Sequence, residues 1–287
     1  MQLRSKNWTV PEELLRCLPM KIVRFENESG QIALGAQQPD GSVTRIDGDL
    51  FGEFRDTGEP VSVAKILMPV VPTSILCIGL NYRKHAEETD APFPKFPILF
   101  TKGLGAAQNP GDPILIPTHL ASHQVDYECE LAIVIGKKAK NVSRENALDH
   151  VLGYTCANDV SARDWQKQFG GSQWSRGKFF DTFCPLGPVL VTTDEIPNPN
   201  TLAIRTILNG ETVQESNTSD MIFDVPALIE FLSGSTTLFP GAVILSGTPS
   251  GVGMARNPPL WLKPGDEVII DIEKIGQLRN PIALEVA

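Results

Sequence analysis

VDYECELAIVIG, residues 125–136, is rich in Val and Ile, carries a Tyr and closes on Gly136, the composition of a β-strand. On a strand, residues i and i+2 face the same side, so Glu128 and Glu130 project together, on the order of 7 Å apart. Two like charges on an otherwise apolar strand call for a compensating cation. Oxygen donors suit a hard divalent ion such as Mg²⁺ or Mn²⁺. Taken alone, the pair also fits the solvent-facing edge of a strand.

Similar short runs recur downstream: SILCIG (74–79), FPILFTK (96–102), DPILIP (112–117), PLGPVLV (185–191), LAIRTILNG (202–210), GAVILSG (241–247) and DEVIIDIE (266–273). Helical signals are fewer. RENALDHVLG (144–153) follows a good N-cap, Ser143, and ends at Gly153. MIFDVPALIEFLS (221–233) starts at or before Pro226, and NYRKHAEETD (81–90) is a short third candidate. Strands dominate without regular alternation with helices, which argues against a doubly wound sheet. The expected class is α+β and β-dominated, a mixed, curled β core with a few packed helices. Upstream, KIVRFE, QIALGAQ and SVTRID are separated by ESG and PDG turns and read as a β-meander. A small N-terminal β-rich region over residues 1–70 is therefore expected before the main body, 71–287, with MPVVP (68–72) as connector.

With 287 residues, 41% of them hydrophobic, the chain can bury a large core. A net charge of −9 disfavours nucleic acid and anionic membrane surfaces as partners. No apolar run approaches the roughly 20 residues of a membrane span. The start, MQLRSKNWTVPEELLRCLPM, has no continuous apolar stretch of the secretory kind. Its Arg4, Lys6 and Arg16 fit a mitochondrial leader, against which Glu12 and Glu13 weigh. Cys17, Cys77, Cys129, Cys156 and Cys184 are odd in number and form no CxxC pair, so a reducing, cytoplasmic compartment is expected.

Three further clusters bear on chemistry. In ANDVSARDWQ (157–166), Asp159 fits a turn or cap, or completes a three-carboxylate set with Glu128 and Glu130. A helix opening at Asp159 would put Arg163 and Gln166 on one face. In QWSRGKFFDTFCPLGP (173–188), Lys178 stands among aromatics, either snorkelling to the surface or buried against carboxylates. In GLNYRKHAEE (79–88), His85 and Glu88 at i, i+3 have the spacing of a carboxylate-oriented general base, and equally of a surface pair. The loop GTPSGVG (247–253) lacks the dinucleotide fingerprint; its amides and the Thr248 hydroxyl are candidates for a substrate carboxylate. His119 and His123, at i, i+4, are a weak zinc alternative without an HExxH centre.

Together with PILFTKG, the block around TSDMIFDVPALIEFLS, and LSGTPSGVG…LKPGDEVIIDIEKIGQLRNP, these motifs in this order resemble the fumarylacetoacetate hydrolase superfamily over roughly residues 68–287. The resemblance implies a mixed β-sandwich roll, one Mg²⁺ or Mn²⁺, and a homodimer. It implies metal ligation by Glu128, Glu130 and Asp159, catalysis by His85, Glu88 and Lys178, and substrate contacts from Arg163, Gln166, Thr248 and Tyr82. Leu80-Asn81-Tyr82 lacks the additional aspartate of fumarylacetoacetate hydrolase itself, which places the chain nearer the acylpyruvase-like branch. Phe179 and Met254 are bulky choices expected to crowd the pocket or shift its selectivity. The implied substrate is a small 2-oxo or 2,4-dioxo acid. The leading expectation is hydrolysis of a C–C bond in an acylpyruvate or related 1,3-diketo acid through a metal-bound enolate, with the His–Glu dyad activating water. The alternatives are an oxaloacetate decarboxylase or tautomerase, or a 2-hydroxymuconate-type isomerase, from the same site; a non-catalytic metabolite-binding relative is the reading from another class.

Overall fold

In the computed structural model, which describes residues 20–171 and 173–286, the alternating N-terminal segments form an antiparallel meander. Its strands are β1 (Lys21–Glu26), β2 (Ile32–Gln37), β3 (Val43–Gly48) and β4 (Phe54–Pro60), followed by the short β5 (Lys65–Leu67). Side-chain oxygens close its turns: the amides of Ser29 and Ser42 donate to Asn27 Oδ1 and Asp40 Oδ1 at 3.0 and 2.9 Å. Cys17 and the basic residues Arg4, Lys6 and Arg16 lie outside the described residues.

The main body continues with β6 (Ser74–Gly79), β7 (Ile98–Lys102), β8 (Ala107–Gln108), β9 (Ile114–Ile116), β10 (Val125–Asp126) and β11 (Cys129–Ile135). Then come β12 (Val151–Asn158), β13 (Ser161–Ala162), β14 (Cys184–Thr192), β15 (Ala203–Leu208) and β16 (Glu211–Asn217). The last strands are β17 (Ala242–Leu245), β18 (Glu267–Ile272) and β19 (Gly276–Leu284). Two α-helices, α1 (Arg83–Glu88) and α2 (Val225–Ser233), are interspersed.

The large sheet runs β4-β3-β2-β1-β14-β12-β11-β17-β6-β7, and a second sheet runs β16-β15-β18-β19-β9. The meander is thus continuous with the main body, joined where Lys21 and Ile22 pair with Val191 and Leu190. Most pairs are antiparallel, but β17–β6, β19–β9 and β14–β8 are parallel. The centre of the large sheet packs on the small one through β11, β12 and β14, making a β-sandwich, so the expected β-dominated class holds. Covered on both faces, β11 and β12 are buried at every position, which is why CELAIVI does not alternate.

Three local expectations are corrected. RENALDHVLG is a 3₁₀ segment over Arg144–His150 only; Val151–Gly153 are drawn into β12, whose β-branched and apolar residues find ladder partners. No helix opens at Asp159. The amides of Asp159, Val160 and Arg163 donate to Glu128, Phe183 and Gln124, and a helical turn begins only at Arg163, becoming π-helical over Trp165–Phe169. The strand through 125–136 is broken at Tyr127 and Glu128, because their amides donate to the side chains of Asp126 and Asn158 instead of to a neighbouring strand.

Candidate active site and metal centre

The break before β11 and the bend after β12 bring their carboxylates to one point. Glu128, Glu130 and Asp159 are all buried, and each offers an oxygen within 4.8 Å of the others. Among the described residues this is the one group of acidic, His or Cys side chains so placed. His119 and His123 take no part; they lie on the loop between β9 and β10.

Cations surround the triad. Lys178 Nζ lies 2.6 Å from Glu128 Oε2 and 2.9 Å from Asp159 Oδ2, with the Phe100 ring 5.0 Å away. Arg163 Nη2 sits 2.7 Å from Glu128 Oε1 and 2.8 Å from Asp126 Oδ2, while its Nη1 donates to Gln166 Oε1 at 2.9 Å. Lys102 stands 2.7 Å from Asp159 Oδ1, yet its three N–H bonds go to the carbonyls of Val160, Phe183 and Lys178. That contact is therefore Coulombic, and Asp159 Oδ1 is left without a hydrogen-bond donor.

The electrostatics follow from burial and these neighbours. Burial alone would raise Glu128, but Arg163 and Lys178 hold its carboxyl well below the usual range. Glu130 is pushed the other way, by burial first and then by Asp159 and Glu128; its Oε2 accepts one amide, Gly247, at 2.6 Å. Burial opposes the charge on Lys178, yet Asp159 and Glu128 raise its pKa. Four buried carboxylates, counting Asp126, face three buried cations, an excess of one negative charge when all are ionised. Such an array is poor evidence for stability and is characteristic of functional sites. The donorless Asp159 oxygen, the like-charged neighbours that push Glu130 up, and an all-oxygen donor set fit a hard divalent cation.

The triad opens into a cavity of ≈ 150 Å³ lined by Glu128, Glu130, Arg163, Gln166, Lys178, His85, Thr248 and Met254, with Trp174 and Phe100 as aromatic walls. Gly79 makes room for Trp174: a Cβ there would meet the indole at 2.2 Å. α1 carries His85 into this cavity and is anchored by Arg83, whose Nη1 donates to the carbonyls of Asp220 and Met221. His85 Nδ1 and Glu88 Oε1 are 2.7 Å apart, and Glu88 Oε2 accepts the Gly251 amide at 2.8 Å. A carboxylate only accepts, so Nδ1 carries the proton and Nε2 of the neutral ring is left as a base.

The glycine loop also has a structural task. Three of its amides serve the protein's own acids: Gly247 donates to Glu130, Gly251 to Glu88 and Gly253 to Asp126, which Met254 just after the loop also serves. The Thr248 hydroxyl faces the cavity, and its role is fixed by Gln214. Oε1 of Gln214 accepts from the Cys129 amide and the Thr206 hydroxyl, while Nε2 donates to the Pro249 carbonyl and to Thr248 Oγ1. Both backbone partners forbid a flipped amide. Thr248 Oγ1 therefore accepts, and its own hydrogen is free to donate.

Two expectations about the pocket are corrected. Phe179 does not crowd it: the ring packs over Gly103 and faces a separate groove, 41% exposed. Tyr82 does not line it either; fully buried at the start of α1, it bridges to Met221. Met254 does line the cavity. Lys102, Asp126, Gln214 and Lys167, which also lines the cavity, were not singled out from the sequence. For Lys167 a signal existed, since it stands at i+4 from Arg163 beside Gln166.

A β-sandwich holding three buried carboxylates beside a His–Glu pair defines an enzyme class whose oxygen donors suit a divalent metal. The chain belongs to the fumarylacetoacetate hydrolase family: the model of the fumarylacetoacetate (FAA) hydrolase C-terminal domain matches residues 74–283, and an Rv2993c-like N-terminal model matches residues 20–69. A Xenopus laevis relative named oxaloacetate tautomerase fahd2, mitochondrial, is 43% identical over 309 aligned positions, covering 98% of this chain and 96% of its own. The human oxaloacetate tautomerase FAHD2A, mitochondrial, is 48% identical over 224 residues, 78% of this chain and 71% of its own. Among solved structures, a 2-hydroxyhepta-2,4-diene-1,7-dioate isomerase from Mycobacterium marinum superposes with a TM-score of 0.80 at 38% identity, over 93% of this chain and 100% of that one. A fumarylacetoacetate hydrolase from Exiguobacterium antarcticum gives 0.83 at 36% identity, with the same coverage.

Proposed function

We propose that the chain is a Mg²⁺- or Mn²⁺-dependent keto–enol tautomerase of a small 2-oxo acid of the oxaloacetate type. The observation that carries this is His85, held by Glu88 at 2.7 Å, in the same cavity as the buried carboxylates. The names of the relatives favour proton transfer over bond cleavage as its use.

A divalent cation at Glu128, Glu130 and Asp159 would supply the Lewis acidity that loosens a proton next to a 2-oxo group. The protein's own groups account for the rest. Nε2 of His85 takes the proton from the carbon beside the oxo group and returns it to the oxo oxygen, or runs the exchange in reverse; nothing is consumed. Glu88 keeps the imidazole in the right tautomer and stabilises its charged form. The Lys178 ammonium places positive charge where the oxygen gains negative charge. Thr248, a free donor because of Gln214, receives a carboxylate oxygen of the substrate.

Hydrolysis of an acylpyruvate is the second reading, favoured by the same dyad, which is equally suited to deprotonating water. Proton NMR separates the two. Added to the enol form of oxaloacetate with Mg²⁺, the protein is expected to speed conversion to the keto form, and a chelator is expected to abolish this. Acetate and pyruvate from acetylpyruvate, with no effect on the oxaloacetate equilibration rate, would replace tautomerisation with hydrolysis.

A further inference from the structure

Among the described residues, one cation lining the cavity has no acidic partner. Arg163, Gln166 and Lys167 stand at i, i+3 and i+4 on the turn that begins at Arg163, and all three line the cavity. Arg163 is held by Asp126 and Glu128, and Lys178 by Glu128 and Asp159. Lys167 forms no ion pair among the described residues, and the acids lining the cavity with it, Glu128 and Glu130, belong to the metal centre. The turn is π-helical here, a geometry that recurs at functional sites.

We propose that Lys167 is a specificity-determining residue that receives a second carboxylate, making the cavity selective for dianionic 2-oxo dicarboxylates over monoanionic oxo acids. The inference rests on the 2-oxo acid reading above and narrows it. A ligand with one carboxylate and a neighbouring oxygen is served by the centre and Thr248, leaving Lys167 unmatched. A ligand with a distal carboxylate satisfies both ends. Lys167 is exposed, so it stands at the mouth of the cavity, open to an incoming ligand; the desolvation it meets there, and then Arg163, lower its pKa, the condition an incoming anion relieves.

The test is calorimetric binding of malate and lactate, which differ by the distal carboxylate and do not tautomerise, to the full chain loaded with Mg²⁺. Wild type is expected to bind malate about tenfold tighter than lactate, the size of a charge-assisted hydrogen bond. Lys167→Met should collapse that ratio to near one by weakening malate alone, and Lys167→Arg should restore it. A ratio that persists in Lys167→Met, equal weakening of both ligands, or no preference in wild type overturns the proposal. Because the readout is binding, failure of the tautomerase reading shows separately, as absent enol conversion in a wild type that still discriminates the two ligands.

Discussion

His85 and Glu88 carry the most specific chemical claim, and they can be separated by substitution. Removing the base, His85→Ala, is expected to lower kcat by about 10²–10⁴-fold while KM moves little. Glu88→Gln should be milder. Its amide would keep one of the two acceptor contacts, to His85 or to Gly251, and turn a donor toward the other. Steady-state rates on enol oxaloacetate check both, and an undiminished His85→Ala would remove the dyad from the mechanism. Gln214 shows how far positioning extends from the cavity. Through one amide it ties the Cys129 backbone at the edge of the metal centre to Thr248 on the glycine loop.

The centre depends on how closely three strands approach. Gly153 lets β12 lie against β14: a Cβ there would fall 2.3 Å from the Val191 carbonyl oxygen. Gly153→Ala is expected to destabilise the fold by about 1–3 kcal/mol through overpacking, read from the denaturation midpoint. An unchanged midpoint would show that this approach is not tight. What the sequence revealed follows the same logic. Glu128, Glu130, Asp159 and Lys178 were legible because each is polar within a locally apolar stretch. Lys102 and Asp126 were not, because their partners lie 57 and 37 residues away, across strand pairings that no local pattern encodes. The direction of Phe179 was equally hidden, since it depends on the gap beside Gly103. The β-rich class was legible from composition, but the ladder that draws Val151–Gly153 out of a helix was not.

Considered whole, the molecule uses its sandwich to keep a charge array dry that would gain little from burial by itself. Glu130, Asp126 and Lys102, carried by β11, β10 and β7, are held by backbone amides and carbonyls of the loops after β12, β13 and β17, while Glu128, Asp159, Arg163 and Lys178 are tied in by ion pairs. The excess negative charge and the donorless Asp159 oxygen fit the array to a divalent cation. The most direct test is a calorimetric titration of Mn²⁺ into chelator-stripped protein, with enol–keto conversion of oxaloacetate followed in parallel. The account predicts one site per chain, activity that rises in step with occupancy, and loss of both in Asp159→Asn. Full activity in the stripped protein, or Mn²⁺ binding unaffected by Asp159→Asn, would contradict it.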